Sequence, residues 1–396
     1  MMMTQENVSH PTLATLALSL GGFSFGIAEY ATLSILPYYS GDFGVPETLG
    51  SRAVSLYAFG VCVGAPLITL AAARMARRTL IVLLTLVFAM ANALTALAPD
   101  WQSFLVLRFL AGLPHGAYFG VAGLIAASLV PPERRARAVA LVMTGITLAN
   151  LIGVPLANVF GAQLGWRWIF VIVVPLALAC AILVQILAPR LPAGVDASPL
   201  RELASLRSRQ VWLTLAICAI GTGGMFSVYT YLASILIDYT RVQAGVIPVM
   251  LMIPGTGMTC GQFLFGWLAD RSQLGAAAIG LALAMAMMIA FWAVEGQAWL
   301  IAPVLFALGS SGGIGPVLQT RLIALTPRAP TLPSALIHSA FNLANAIGPI
   351  AGGIALAAGG GWPAVGLAGA VLAGTGLLLL LLTALDARPR RMAGVA

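Results

Sequence analysis

Hydrophobic and polar positions in this chain alternate on the scale of whole helices. Apolar runs follow one another from end to end, separated by short stretches holding Gly, Pro, Arg or Asp. A helix of about 20 apolar residues crosses the hydrocarbon core of a bilayer. The pattern predicts spans near 12–38, 51–73, 79–98, 102–128, 135–161 and 167–188, then near 211–237, 245–268, 274–294, 299–323, 331–357 and 363–385. A membrane β-barrel would show short alternating segments instead. One long polar connection, 189–210, holds Arg190, Asp196, Arg201, Glu202, Arg207 and Arg209. The expected fold is an all-α integral membrane protein of twelve helices. Its domains are an N-terminal six-helix bundle over 1–188, a linker over 189–210 and a C-terminal six-helix bundle over 211–396.

Composition agrees. The chain is 60% hydrophobic and 8% charged, with mean hydropathy +0.99, where a soluble domain carries roughly 25% charged residues. Charge adds orientation. Every basic residue is arginine, and sixteen of the twenty fall on one side of the predicted spans, counting the linker and Arg388, Arg390 and Arg391. The positive-inside rule then makes both termini and the linker cytoplasmic. Loops on the other side carry Asp42, Glu47, Asp100, Asp238 and Glu295. The arginines lie in separate short loops, which excludes a nucleic-acid-binding patch. Cys62, Cys180, Cys218 and Cys260 sit in apolar segments and read as packing residues, not as a disulfide framework or a zinc site. No arginine precedes Arg52, so the first apolar run reads as a retained span and not as a cleaved signal peptide.

The two halves resemble each other at an offset near 197. Gly60, Gly64, Leu67 and Arg74 map onto Gly257, Gly261, Leu264 and Arg271, while Gly112 and Gly116 map onto Gly309 and Gly313. At an offset of 195, LANLIG (148–153) maps onto LANAIG (343–348). Matches in order at nearly one offset indicate a duplication into two six-helix pseudo-repeats. Two parallel repeats suit a transporter whose site lies between halves.

Several motifs carry a family resemblance. GQFLFGWLADR (261–271), with Gly266, Asp270 and Arg271, resembles the signature loop of the major facilitator superfamily in its second-half copy. LRFLAGLPHG (107–116) resembles the fourth-span signature with its embedded arginine. GITLANLIGVP (145–155) resembles, loosely, the fifth-span motif of proton-coupled antiporters, and GWRWIF (165–170) the start of their sixth span. With GIAEY (26–30) and AFNLANAIG (340–348), the chain is similar to the drug:proton antiporter branch holding the arabinose-efflux-permease-like proteins of bacteria. The resemblance implies a transporter, not an enzyme, in the bacterial inner membrane, and makes Arg108 a proton-coupling residue. One departure stands out. In the first-half loop, GAPLITLAAARMARR (64–78), the position matching Asp270 is Ala73. A charge-pair latch is therefore expected around Asp270 and Arg271, whereas Arg74, Arg77 and Arg78 either share in one or only fix topology.

Chemistry within the spans is sparse. Glu29 is placed deep in the first predicted span, on one helical face with Gly22 and Gly26. Small-residue faces pack against neighbouring helices, so Glu29 is expected to point into the bundle. There a carboxyl can take up and release a proton, or serve as a structural group. Arg108, Gly112 and His115 share a face of the fourth span. A cation at the centre of a membrane helix costs about 3 kcal/mol on insertion scales. Arg108 is expected to meet Glu29 as an ion pair or through a hydrogen-bond network. His115 has the chemistry of a proton relay, and equally that of a hydrogen-bonded structural group. In the repeat, Arg108 falls opposite Leu305 and Glu29 near Tyr231, so proton chemistry belongs to the first half.

Uncharged polar groups mark the expected solute cavity: Tyr30, Tyr118 and Asn150 from the first half, and Tyr229, Tyr231, His338, Asn342 and Asn345 from the second. They suit a neutral, hydroxylated or amphiphilic ligand. Gly145, Gly153 and Pro155 in the fifth span join Gly64, Arg74, Gly266, Asp270 and Arg271 as expected gating elements. The function read from these features is proton-coupled export of a small organic solute, such as a sugar, nucleoside or drug, by alternating access. A facilitator or an importing proton symporter is the alternative. Expected partners are protons, the solute and the bilayer, with no cofactor, metal or nucleic acid, and the expected assembly is a monomer.

Overall fold

A computed structural model describes residues 11–32, 35–189, 198–243, 246–294 and 297–392. Arg190, Asp196 and Glu295 lie outside the described residues, as do the side chains of Glu47, Pro155, Asp238, Arg388, Arg390 and Arg391. Among the described residues the secondary structure is helical, without strands. Among the described residues, twelve helices are long and apolar enough to cross a membrane. They are Pro11–Ala31, Arg52–Ala71, Arg77–Ala96, Trp101–Ser128, Pro132–Gly153 and Arg167–Leu187, then Arg209–Tyr229, Val249–Arg271, Gln273–Ala293, Trp299–Leu325, Thr331–Ala357 and Ala364–Asp386. We number them spans one to twelve.

Span one carries a π-helical turn, Ile27–Ala31, and a helical segment, Leu36–Asp42, follows with Pro37 in its first turn, where the missing N–H of proline is tolerated. Glu29 stands on that π turn. Further π-helical turns occur at Ala149–Gly153, Ile217–Gly221 and Ile235–Tyr239.

The chain packs as two compact units. One holds Met1–Ser205 with Thr326–Ser339, the other Leu206–Leu325 with Ala340–Ala396. The helix of span eleven thus contributes to both.

In the first unit, spans two and four approach to backbone contact. A Cβ on Gly60 would lie 2.3 Å from the Phe109 carbonyl oxygen, one on Gly64 2.0 Å from that of Leu113, and one on Gly112 2.2 Å from that of Tyr57. The second unit repeats this crossing between spans eight and ten. There Gly257 meets Phe306, Gly261 meets Ser310 and Gly309 meets Pro254, at 2.1, 2.0 and 2.1 Å. Every residue of the second set lies 197 positions after its counterpart in the first. The duplication inferred from scattered glycines is therefore a duplication of one helix crossing. The same offset takes Gly26, packed against Ala149, to Gly223, packed against Ala344. It puts Phe226, rather than Tyr231, opposite Glu29, because the register follows this contact.

Side-chain ties close the ends. Away from the linker, Asp42 pairs with Arg167 and accepts a hydrogen bond from Trp166 Nε1 at 3.1 Å. Those donors hold the Asp42 carboxyl below the usual carboxylate range. Near the linker, Arg78 donates to the carbonyls of Gln185 and Ala188 at 3.3 and 3.2 Å, capping span six. Arg78 thus has a structural task that loop position alone did not reveal. In the second unit, Gln210 donates to Asp386 Oδ2 at 2.7 Å and to the Thr383 carbonyl at 3.0 Å, and accepts from Arg321 at 2.7 Å. Arg321, one of the arginines counted on the linker side, is buried near the end of span ten.

Two outcomes follow. Gly112→Leu forces a side chain against backbone that has no rotamer to change. Overpacking costs typically 1–3 kcal/mol, so it should lower the thermal midpoint in detergent well below that of Gly41→Ala, whose added Cβ meets nothing within 4 Å. Equal midpoints would contradict the crossing. Because the folded Asp42 pKa is depressed, its stabilisation is present above the unfolded carboxylate pKa and fades as pH falls through the folded one. The midpoint difference between native protein and Asp42→Asn should therefore shrink on acidification; a gap that widens would be the wrong sign.

Candidate functional site

The π-helical turn of span one is where the polar side chains of the first unit converge. A π turn shifts hydrogen bonding to the fifth residue along the chain and recurs at functional sites. Within it the Ala28 carbonyl accepts from Thr32 Oγ1 at 2.8 Å and from Arg108 Nη2 at 3.0 Å. Span five answers with its own π turn, Ala149–Gly153, which packs against this one and carries Asn150. Gly26 allows the approach, since a Cβ there would sit 2.6 Å from that of Ala149.

Arg108 is fully buried. The direct Arg108–Glu29 ion pair, one of the two arrangements expected, is not formed. Arg108 instead donates to the neighbouring Ala28 carbonyl, and its guanidinium lies over the Tyr57 ring, 4.4 Å from the centroid, and 5.5 Å from that of Phe170. Cation–π contacts of this kind offset part of the desolvation of a buried cation. Its Nε and Nη1 make no hydrogen bond. The group that reaches towards Glu29 is His115, whose Nε2 stands 3.9 Å from Glu29 Oε2. The Glu29 side chain is 12% exposed and that of His115 2%.

His115 is held by aromatic neighbours. Phe25 meets its ring edge-on at 5.5 Å, and Phe119 lies at 4.9 Å. Its Nδ1 is 2.9 Å from the Tyr57 hydroxyl. His338, from the start of span eleven, stacks on Phe119 at 4.7 Å and lies 5.6 Å from the His115 ring. The cluster is therefore Glu29, Tyr57, Arg108, His115 and His338, drawn from spans one, two, four and eleven. Tyr57 belongs to no motif; the one hint in the sequence is its place one helical turn before Gly60.

The expected cavity residues divide. The Tyr118 hydroxyl donates to the Leu18 carbonyl at 2.6 Å, and that of Tyr231 to the Pro349 carbonyl at 2.9 Å. Both phenols tie helices together. Tyr30, Asn150, Tyr229 and Asn345 are half-buried, and Asn342 is buried. In span five, a Cβ on Gly145 would press the Ser19 carbonyl at 2.0 Å, so that glycine allows spans one and five to touch.

Known proteins agree with this architecture. A family model described as the Major Facilitator Superfamily matches residues 18–331. The chain belongs to the major facilitator superfamily. It is 36% identical over 370 residues to the inner membrane transport protein YdhP of Escherichia coli, covering 93% of this chain and 95% of that one. It is 30% identical over 338 residues to the chloramphenicol resistance protein of Streptomyces lividans, covering 84% and 86%. The fold matches the outward-facing crystal structure of the major facilitator FucP with a TM-score of 0.77 at 17% identity, covering 94% of this chain and 99% of that one. This is a family of small-solute transporters, not enzymes.

The first signature loop has an acidic neighbour from the linker. Ala73, where the second copy has Asp270, lines a cavity of about 60 Å³ together with Arg77, Thr331 and the linker residue Glu202. Glu202 is buried, and its Oε2 accepts the Leu332 N–H at 2.9 Å, at the start of span eleven. Burial raises its carboxyl above the usual range, while Leu332, Thr331 and Arg77 pull it back. The acid facing Arg77 thus comes from the linker. In the second loop, Arg271 stacks on Trp267 at 3.5 Å; Gly266 is buried and Arg74 exposed.

The first N–H groups of a helix have no partner within it. Glu202→Ala should therefore speed amide exchange at Leu332 and leave the far end of the same helix unchanged. Unaltered exchange at Leu332 would remove Glu202 as its acceptor.

Proposed function

We propose that this chain exports a small organic solute in exchange for protons across the bacterial inner membrane, as a monomer with both termini and the linker cytoplasmic. One observation carries the reading: the Glu29 carboxylate stands on a π turn beside fully buried Arg108, with His115 Nε2 3.9 Å away. An acid enclosed with a cation and an imidazole is a site for loading and unloading one proton. In this orientation Glu29, on the π turn of span one, lies in the outer half of its span, where a proton entering from outside reaches it first. Proton entry down the membrane potential supplies about 2.3 kcal/mol per charge per 100 mV. Arg108 provides a fixed positive field, so a change in Glu29 protonation changes the charge balance of the first unit.

In this reading the bundles 1–188 and 211–396, joined by 189–210, alternate access to the solute. Tyr30, Asn150, Tyr229, Asn342 and Asn345 contact it, and Gly145 and Gly153 keep span five close to span one as the bundles move. Export takes support from the Streptomyces lividans relative, which is named for chloramphenicol resistance. Amide and phenol groups without fixed charge suit a sugar, a nucleoside or an amphiphilic drug.

Proteoliposomes with an imposed pH gradient test the proposal against a panel of sugars, nucleosides and chloramphenicol. At least one solute should collapse the gradient with native protein and not with Glu29→Gln. Proton-coupled efflux retained by Glu29→Gln would overturn the Glu29 assignment, and solute movement without proton flux in native protein would overturn antiport.

A further inference from the structure

Tyr57 touches both basic groups of the cluster. Its hydroxyl is 2.9 Å from His115 Nδ1, and its ring lies under the Arg108 guanidinium. It is 1% exposed, and its backbone is fixed by the crossing of spans two and four, where Gly112 meets its carbonyl. We propose that Tyr57 is the positioning residue that sets which nitrogen of His115 carries the proton, and so whether His115 offers Glu29 a donor or an acceptor. The inference rests on the proton-coupling reading of Glu29.

The chemistry follows from the inventory of the two groups. A neutral imidazole has one N–H donor and one bare acceptor nitrogen, and a phenol hydroxyl can donate or accept. When Tyr57 donates to Nδ1, the ring proton resides on Nε2 and faces Glu29 Oε2, where it stabilises the carboxylate. When the hydroxyl turns and accepts from Nδ1–H, Nε2 is bare. It can then take the proton of a neutral Glu29: the carboxyl O–H bond breaks, an Nε2–H bond forms, and imidazolium and carboxylate remain. Passing from the first arrangement to the second goes through imidazolium: an incoming proton bonds to Nδ1, the hydroxyl turns to accept from it, and the Nε2–H bond breaks as its proton passes to the Glu29 carboxylate, without moving a helix. The ring itself is held by Phe25 and Phe119, which keeps Nε2 on the Glu29 side.

The charged and titratable groups facing His115 are Glu29 from span one, Tyr57 from span two, His338 from span eleven and Arg108 from its own span. Tyr57→Phe removes only the hydroxyl and keeps the ring beneath Arg108. The chain has three histidines, so 15N-histidine spectra of the full-length protein are assignable through His115→Gln. In native protein His115 Nδ1 should appear as a hydrogen-bonded nitrogen, and in Tyr57→Phe that signal should move to a free one. The pH of half-maximal solute-driven proton flux should shift by about one unit, the scale of losing one hydrogen bond to a charged group. That shift should vanish when His115 is already Gln, and the variant should stay folded at the assay temperature, with a midpoint lowered by no more than the loss of one buried hydrogen bond.

Native His115 signals and a native pH profile in Tyr57→Phe would overturn the proposal, as would a shift that persists in the His115→Gln background. Magnetisation transfer between tyrosine 13Cζ and His115 15Nδ1 in unmutated protein tests the contact without any variant; its absence has the same meaning. The Glu29→Gln control separates the two readings. Coupling retained there, with the tautomer changed by Tyr57→Phe, removes the Glu29 reading alone. Coupling lost there, with native signals in Tyr57→Phe, removes the Tyr57 inference alone.

Discussion

The crossing of spans two and four is the constraint on which the first unit depends. Three glycines bring two helix backbones into contact, so neither helix can slide or rotate without collision. Span two carries Tyr57 and span four carries Arg108 and His115. Their mutual geometry is therefore set by backbone atoms and not by flexible side chains, and preorganisation of this kind is what a proton site needs. The second unit has the same crossing with the chemistry removed. At the shared offset, Tyr57 becomes Pro254, Arg108 becomes Leu305 and His115 becomes Gly312. Duplication kept the mechanical joint, and the polar cluster stands in one copy.

Burying Arg108 shows how the unit offsets an unfavourable charge. A buried ion pair is often near neutral in net stability because both ions are desolvated. Here the cation rests on two aromatic faces and one carbonyl, and the acid stays nearby without pairing. Arg108 makes no direct ion pair with Glu29, which leaves the carboxyl open to the proton loading we propose. His115 is the nearer partner, and the Tyr57 hydroxyl is the nearest polar group to its other nitrogen.

Much of the architecture was legible in the chain. Twelve apolar runs and one charged linker define the spans because the bilayer imposes a length on each. Glu29, Arg108 and His115 stood out because ionisable groups in apolar runs are few. Other features depend on tertiary contact. The π turn that carries Glu29 stands where span one meets the matching turn of span five. Tyr57 looks like any aromatic in an apolar run until Gly112 brings span four against it. Glu202 reads as a solvated linker charge, yet it caps span eleven beside Ala73, where the repeat would place an acid. Tyr118 and Tyr231 look like cavity phenols and are committed to backbone carbonyls instead.

The central claim is that Glu29 gains and loses a proton inside the first unit. Difference infrared spectroscopy of the purified protein, cycled between acid and alkaline pH, observes that event directly. The account predicts a carbonyl band of a protonated carboxyl, slow to exchange with deuterium, that appears on acidification and is missing from Glu29→Gln. The same band persisting unchanged in Glu29→Gln, or no such band in native protein, would contradict it.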